Sequence, residues 1–231
     1  SYISESLEKG LIVQRQWLYL ENNFQGDDIC KQLPDEAKRF ATITEEFQTI
    51  SAKMFQAKTV VKATHLRAPP FLLNRFNRMD ERLELIQRAL EIYLETKRQL
   101  FPRFYFISND DMLEILGNAK RPDLVQTHLK KLFDNLNKLD LKRVGKSLNR
   151  WQGSGMYSDD GEFVEFQQVL YVDGPSERWL KQVEEFMFAI MKEVLKLTRR
   201  SLKKLIGNRE KWIFLWPGQM ILTTAQIQWT T

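Results

Sequence analysis

The chain has 231 residues, 43% of them hydrophobic and 28% charged, a globular balance that excludes a disordered polar chain and is long enough to bury a sizeable core. No apolar run approaches the ~20 residues that cross a bilayer, and the opening SYISESLEKG has early acids and no apolar h-region, so neither a membrane span nor a secretory leader is expected. Cys30 stands alone, which excludes an internal disulfide and a thiolate metal cluster and fits a reducing compartment, while the formal charge of +5 raises a nucleic-acid reading that the pattern must test.

Taken in chain order, Leu7, Leu11, Val13 or Gln14, Trp17, Leu18, Leu20 and Phe24 form a broad apolar face and predict a first helix from near Ser4 to Asn23. Gly26 and Asp27 should break it. Pro34 opens a second helix, with Asp35 and Glu36 in the first turn, where the helix dipole favours acids. Phe40, Ile43, Phe47, Ile50, Met54 and Phe55 recur every three or four residues, so this helix should pack antiparallel on the first. The segment 59–70, with His65, Pro69 and Pro70, reads as a fraying end and a loop. Leu72, Phe76, Met79, Leu83, Ile86, Leu90 and Leu94 then predict a third helix from Pro70 to Leu100, roughly 46 Å long at 1.5 Å per residue. That length exceeds what a compact domain needs. The fold class expected is therefore mainly α: an elongated rod of consecutive antiparallel helical bundles that share long helices.

Pro102 lacks an N–H and pushes Phe101 out of the helical region, which ends the third helix. Arg103 to Ile107 reads as a short extended segment or an apolar plug. Ser108, three residues before Asp111, reads as the N-cap of a new helix, Met112 to Leu116, with Gly117 as a left-handed cap. The corner divides the chain into helical subdomains 1–107 and 108–231. Pro122 should start a helix whose stripe runs Leu124, Val125, Leu129, Leu132, Phe133 and Leu136. Beyond it Leu139, Leu141 and Val144 alternate with polar residues, and glycines fall at 145, 153 and 155. Phe163, Phe166, Val169, Tyr171 and Val172 follow the turn Asp159, Asp160 and Gly161, so a small β-hairpin insert is expected near 139–172. Its strands would be 139–144 and 163–172, and its tip Gly153 to Gly161. A long helix over Ser176 to Ile206, ended by Gly207, comes next. The last segment, from Arg209, keeps an apolar face to Thr231 with a kink at Pro217 and Gly218, which predicts that the natural chain continues.

Catalytic chemistry finds little footing in this pattern. The glycines fall singly at turns, with no G-x-x-x-x-G-K-[ST] loop for phosphate. Cys30 has no sequence-local histidine to activate it, and His65 and His128, in no HxxxH or HExxH spacing, read as a loop residue and a helix surface residue. The paired acids Asp110–Asp111, Asp159–Asp160 and Glu184–Glu185 are adjacent and do not face each other, so capping, turn formation and solvation explain them. Basic residues are interleaved with acids along the helices, densest in TRRSLKK at 198–204 and HLKK at 128–131, and read as solvated or partner-facing faces rather than a nucleic-acid site. Phe101, Phe104, Tyr105 and Phe106 read as a core plug joining two bundles.

Seven ordered motifs add a family resemblance. YLETKRQLFPRFYFISNDDMLEIL from Tyr93 is similar to the signature of the dynein heavy-chain linker. Around it, in the matching order, stand VQRQWLYLEN from Val13, QLP at Gln32, HLKKLFDN from His128, SDDGEFVEF from Ser158, WLKQVEEFM from Trp179 and PGQMILTTAQIQWT from Pro217. Their flavour is axonemal and inner-arm-like. The resemblance implies a lever that lies across a ring of AAA+ modules and bends or straightens with the nucleotide state, the straightening being the power stroke. It implies no cofactor in this stretch, ATP and Mg belonging to AAA+ modules later in the chain. The partners implied are the ring modules of the same heavy chain and, through the parent motor, microtubules and other dynein chains, with no nucleic acid and no membrane. The place implied is cytoplasmic and cytoskeletal, in a ciliary or flagellar axoneme. A lever needs a compliant joint, expected around Phe101, Pro102, Phe104 and Phe106, and the turn Asp159, Asp160, Gly161 and Glu162 is expected to meet the ring. The rivals are a non-motor helical scaffold and a basic nucleic-acid-binding helical protein.

Overall fold

The structure, a computed structural model, describes residues 1–24, 27–144, 150–204 and 207–230. These form a mainly helical fold with a small three-stranded antiparallel sheet. No helix among them is long and apolar enough to cross a membrane. The chain divides into two compact units, Ser1–Lys97 and Arg98–Thr231.

In the first unit, α1 (Tyr2–Phe24) and α3 (Pro34–Gln56) are joined through a short α2 (Asp27–Gln32). Asp27 thus opens a helical turn rather than a gap, and Gly26 lies outside the described residues. Phe24 stacks on Phe40, while Trp17 tilts against Phe47 and donates from its indole N–H to Thr44 Oγ1 at 2.9 Å. Contacts that move down one helix as they move up the other make the pair antiparallel, as expected. The predicted apolar face of α1 is only partly covered. Val13 and Leu20 are buried, but Leu7, Leu11 and Leu18 stay exposed, and Leu7, Leu11, Trp17, Phe47, Met54 and Phe76 line a hollow of about 630 Å³. The segment 59–70, expected to be a fraying end and a loop, contains a separate short helix, α4 (Val60–Thr64), whose start Thr59 Oγ1 caps by accepting the Lys62 N–H. α5 (Phe71–Leu100) buries Leu72, Phe76, Met79, Leu83, Ile86, Leu90 and Leu94 in the predicted stripe.

The second unit begins in the last turn of α5. Pro102–Phe106 forms a 3-10 turn, which is neither extended nor α-helical. Ser108 Oγ then accepts from the Asp111 N–H at 3.1 Å and caps α6 (Asn109–Gly117) as predicted. Gly117 is not a left-handed cap; it is helical, and Asn118 closes the helix with its amide on Glu114 O. The expected helix from Pro122 is also broken, into α7 (Pro122–Val125), a 3-10 turn at Gln126–His128, and α8 (Leu129–Leu132). Asn135, at φ +59°, turns the chain left-handed, and Leu136 enters a strand.

The β insert has three strands in the order β1-β2-β3, not the two of a hairpin. These are β1 (Leu136–Arg143), β2 (Trp151–Ser158) and β3 (Phe163–Val172), antiparallel throughout. β3 matches the predicted strand, β1 starts three residues earlier than expected, and most of β2 falls in the expected hairpin tip, 153–161. Gly153 and Gly155 therefore lie within a strand, and the expected turn glycine at 145 lies outside the described residues. A Cβ on Gly155 would sit 2.6 Å from the Phe163 ring and from Val164 O, so this strand needs glycine there. α9 (Ser176–Lys204) covers β3, with Phe186 edge-on to Phe166 at 5.7 Å, and Ser176 Oγ donates to Ile115 O of α6. The predicted helix end at Ile206 lies outside the described residues. The final apolar segment is two helices, α10 (Arg209–Ile213) and α11 (Gly218–Thr230), interrupted before Pro217.

Candidate functional site

The residues singled out by sequence meet at α8. Phe101 and Phe104 are 0% exposed, edge-on to each other at 5.0 Å, and Phe101 also tilts against Phe133 at 6.2 Å. Pro102 occupies the first position of the 3-10 turn, where a missing N–H costs nothing. Arg103 locks the turn. Its guanidinium lies 4.7 Å over the Phe133 ring, Nε donates to Glu184 Oε1 of α9 at 2.7 Å, and Nη1 donates to Leu132 O at 3.0 Å. Phe106 departs from the plug reading. It is 73% exposed, because only every third side chain of a 3-10 turn returns to the same face.

The hairpin turn is tied to the same short helix. Lys130 Nζ of α8 reaches Asp159 Oδ1 at 2.6 Å. Gly161, at φ +84°, takes the left-handed position that glycine tolerates. Glu162 Oε1 accepts the Gly218 N–H at 2.9 Å, so its carboxylate meets the N-terminal end of α11. Asp160 and Glu162 border a cleft of about 600 Å³ whose apolar wall includes Met187, Phe188, Met191 and Leu222. The two candidate groups thus share α8 as an anchor, although about fifty residues separate them in sequence.

Sequence reasoning missed the residue at the centre of this junction. His128 is 5% exposed, not a helix surface residue. Its Nδ1 lies 3.4 Å from Asp111 Oδ1 and its Nε2 3.2 Å from Glu114 Oε2, ion-pair distances outside hydrogen-bond geometry. Lys131 Nζ donates to both oxygens of Asp111, at 2.8 and 2.9 Å. These partners hold the Asp111 carboxyl below the usual carboxylate range. The Lys131 hydrogen bond is the largest cause; burial opposes it, and Ser108, the Lys131 charge and the His128 charge add to the lowering. Asp111, Glu114 and His128 place one donor atom each within 4.8 Å, the donor set of a divalent-metal site. A cation already stands there, however, and the two ring nitrogens face different carboxylates. The group closes on itself as an ion cluster pinning α6 to α8. The signal available in sequence was the HLKK cluster, whose lysines prove to be partners of Asp159 and Asp111 rather than a free basic surface.

The match to known proteins covers the whole of this arrangement. The family model described as "Dynein heavy chain, N-terminal region 2" matches residues 1–198. The chain belongs to the dynein heavy chain family. It is 46% identical over 230 residues to dynein axonemal heavy chain 2 of Mus musculus and 44% identical to that of Homo sapiens, in each case over 100% of this chain and 5% of the relative. It is 43% identical over 231 residues to the dynein-1-beta heavy chain, flagellar inner arm I1 complex, of Chlamydomonas reinhardtii, again over 100% of this chain and 5% of that protein. This dynein segment therefore corresponds to about one-twentieth of each relative's length, within the N-terminal region of the heavy chain.

Proposed function

We propose that this dynein segment is part of the mechanical linker of an axonemal motor, a lever that carries the force of nucleotide-driven shape change to produce microtubule-based movement in a cilium or flagellum. The observation that carries the reading is the unbroken similarity to axonemal and flagellar heavy chains over the full length of the chain. The structure supports it physically. A lever needs stiff pieces joined where two packings are possible, and α5 is a continuous 30-residue helix, about 45 Å at 1.5 Å per residue. At its end the expected joint is a packed corner of Phe101, Phe104 and Arg103, so movement there would be a repacking of these side chains rather than a loose hinge. In this reading consecutive helical bundles share long helices to form a rod, ATP and Mg belong to the AAA+ modules of the parent heavy chain, and the turn Asp159 to Glu162 meets those modules. Because Lys130 and the Gly218 N–H tether that turn, it would present a defined surface.

The test uses the intact heavy chain. Phe104→Ala should slow microtubule gliding severalfold while microtubule-free ATPase persists, because force transmission and not hydrolysis is weakened. Unchanged gliding with measurably loosened packing would sink the lever reading. Cross-linking from Asp160→Cys should reach an AAA+ module in at least one nucleotide state, and failure in every state would remove the turn from the contact.

A further inference from the structure

We propose that the solvent face of α9 is a docking ridge for an acidic polypeptide segment that anchors an apolar side chain in the neighbouring cleft. Lys192, Lys196, Arg199 and Lys203 recur at intervals of four, three and four, which at 100° per residue gathers them within about 60° of the helix circumference. All four are exposed, on the side of α9 away from buried Val183 and Ile190, and exposed Arg200 and Lys204 flank them. The helix dipole accounts for cations in the last turn only and Glu193 pairs with Lys196 on the helix surface, which leaves Lys192 and Arg199 unexplained by helix stability.

Two observations separate this ridge from the other basic stretches. Residues 192–211 hold eight Lys and Arg against two Glu, a formal +6 that exceeds the +5 of the whole chain, so the remainder is slightly acidic. In the HLKK stretch the cations are matched, Lys130 by Asp159 and Lys131 by Asp111. Among the described residues of this segment the ion pair is Lys196 with Glu193 at 3.1 Å. A row of cations on one helix face, in excess of the acids beside it, steers an oppositely charged partner.

The near end of the ridge identifies the partner as a polypeptide. Phe188, 62% exposed, stands one turn before Lys192 and forms a wall of the cleft with Met187, Met191 and Leu222. Asp134, Asp160 and Glu162 border the same cleft, and Glu185 is exposed one turn before Phe188. Acids at that end repel a phosphodiester chain but accept an uncharged aliphatic group. A segment with carboxylates along its length and a Leu or Phe at one end satisfies both parts.

The probe is a fluorescent peptide of about 16 residues with Glu at four-, three- and four-residue intervals and Leu at one end, titrated into the 231-residue chain. Binding should weaken by about tenfold or more between low and physiological salt, as expected for charge-driven contact. It should be lost on Lys192→Glu with Arg199→Glu, exposed changes whose folding is verified by circular dichroism. Phe188→Ser should weaken this peptide and leave a version with Ser in place of Leu unaffected. Equal binding of a peptide with Gln for every Glu, unchanged binding by the charge-reversed chain, or tighter binding of a single-stranded RNA of the same length would each overturn the proposal. Should the double reversal fail to fold, Lys192→Gln with Lys196→Gln reads the same loss. The proposal stands apart from the lever reading, since the isolated chain is sufficient to test it.

Discussion

The aromatic corner at Phe101 to Ile107 and the turn at Asp159 to Glu162 both redirect the chain within the second unit, and opposite physics holds them. The corner is held by burial: two rings without exposure, a third ring beneath them, and a guanidinium stacked on it. The turn is held by exposed polar tethers, Lys130 to Asp159 and the Gly218 N–H to Glu162, with a glycine supplying the left-handed residue. Burial at ~25 cal/mol per Å² of apolar surface makes the corner expensive to alter, whereas exposed ion pairs are worth ~0–1 kcal/mol. The lesson is that two bends can share an anchor on α8 and differ widely in what each can tolerate.

The largest expected effect lies at the corner. Phe104→Ala should cost about 3–5 kcal/mol, the range for emptying a fully buried aromatic site, read as a lower denaturant midpoint at unchanged slope. A cost below about 1 kcal/mol would erase the contrast. Gly155→Val tests whether the sheet beneath the turn is as tightly packed as the corner. With a Cβ 2.6 Å from Val164 O, a backbone atom that cannot swing aside, it should lose about 1–3 kcal/mol, and thermal melting will measure this.

A smaller effect sharpens the role of the ion cluster. Because the folded-state pKa of Asp111 is lowered, its contribution to stability is fully present above the unfolded-state value, ~3.9, and is lost as pH falls through the lower folded-state value. Asp111→Asn should therefore reduce stability at neutral pH and flatten the acid limb below about pH 4. Parallel melting curves for variant and wild type across that range would refute the pairing. Smallest of all, Asp159→Ala and Glu162→Ala should each change stability by less than about 1 kcal/mol, and a larger loss by calorimetry would mean that the turn is held by more than its tethers.

Most of the helices were legible because their signals are local. Ser108 caps where its spacing to Asp111 predicted, Pro122 begins a helix, the α5 stripe buries the residues expected, and β3 follows the Asp-Gly turn. The failures share a cause. The stretch 153–161 reads from sequence as a short polar hairpin tip, yet Gly153 and Gly155 lie in β2, where the Phe163 ring leaves no room for a Cβ on Gly155. The stripe from Leu124 to Leu136 has helical spacing but is divided once Asn135 turns and Leu136 pairs with Ser158. His128 carries no sign of burial in its neighbours, and it becomes central only when α6 brings Asp111 and Glu114 beside it.

The amino-acid order was enough to decide where most long helices start and which faces of them are apolar, since an α-helix bonds residues four apart and its caps lie within one turn, and its ordered motifs carried the family resemblance. The third strand, the shared anchor on α8, the closed ion cluster and the matching of Lys130 and Lys131 were decided by tertiary packing. Each needs a partner well beyond one helical turn in sequence, and neither a strand's hydrogen bonds nor a buried polar group can be satisfied until that partner arrives.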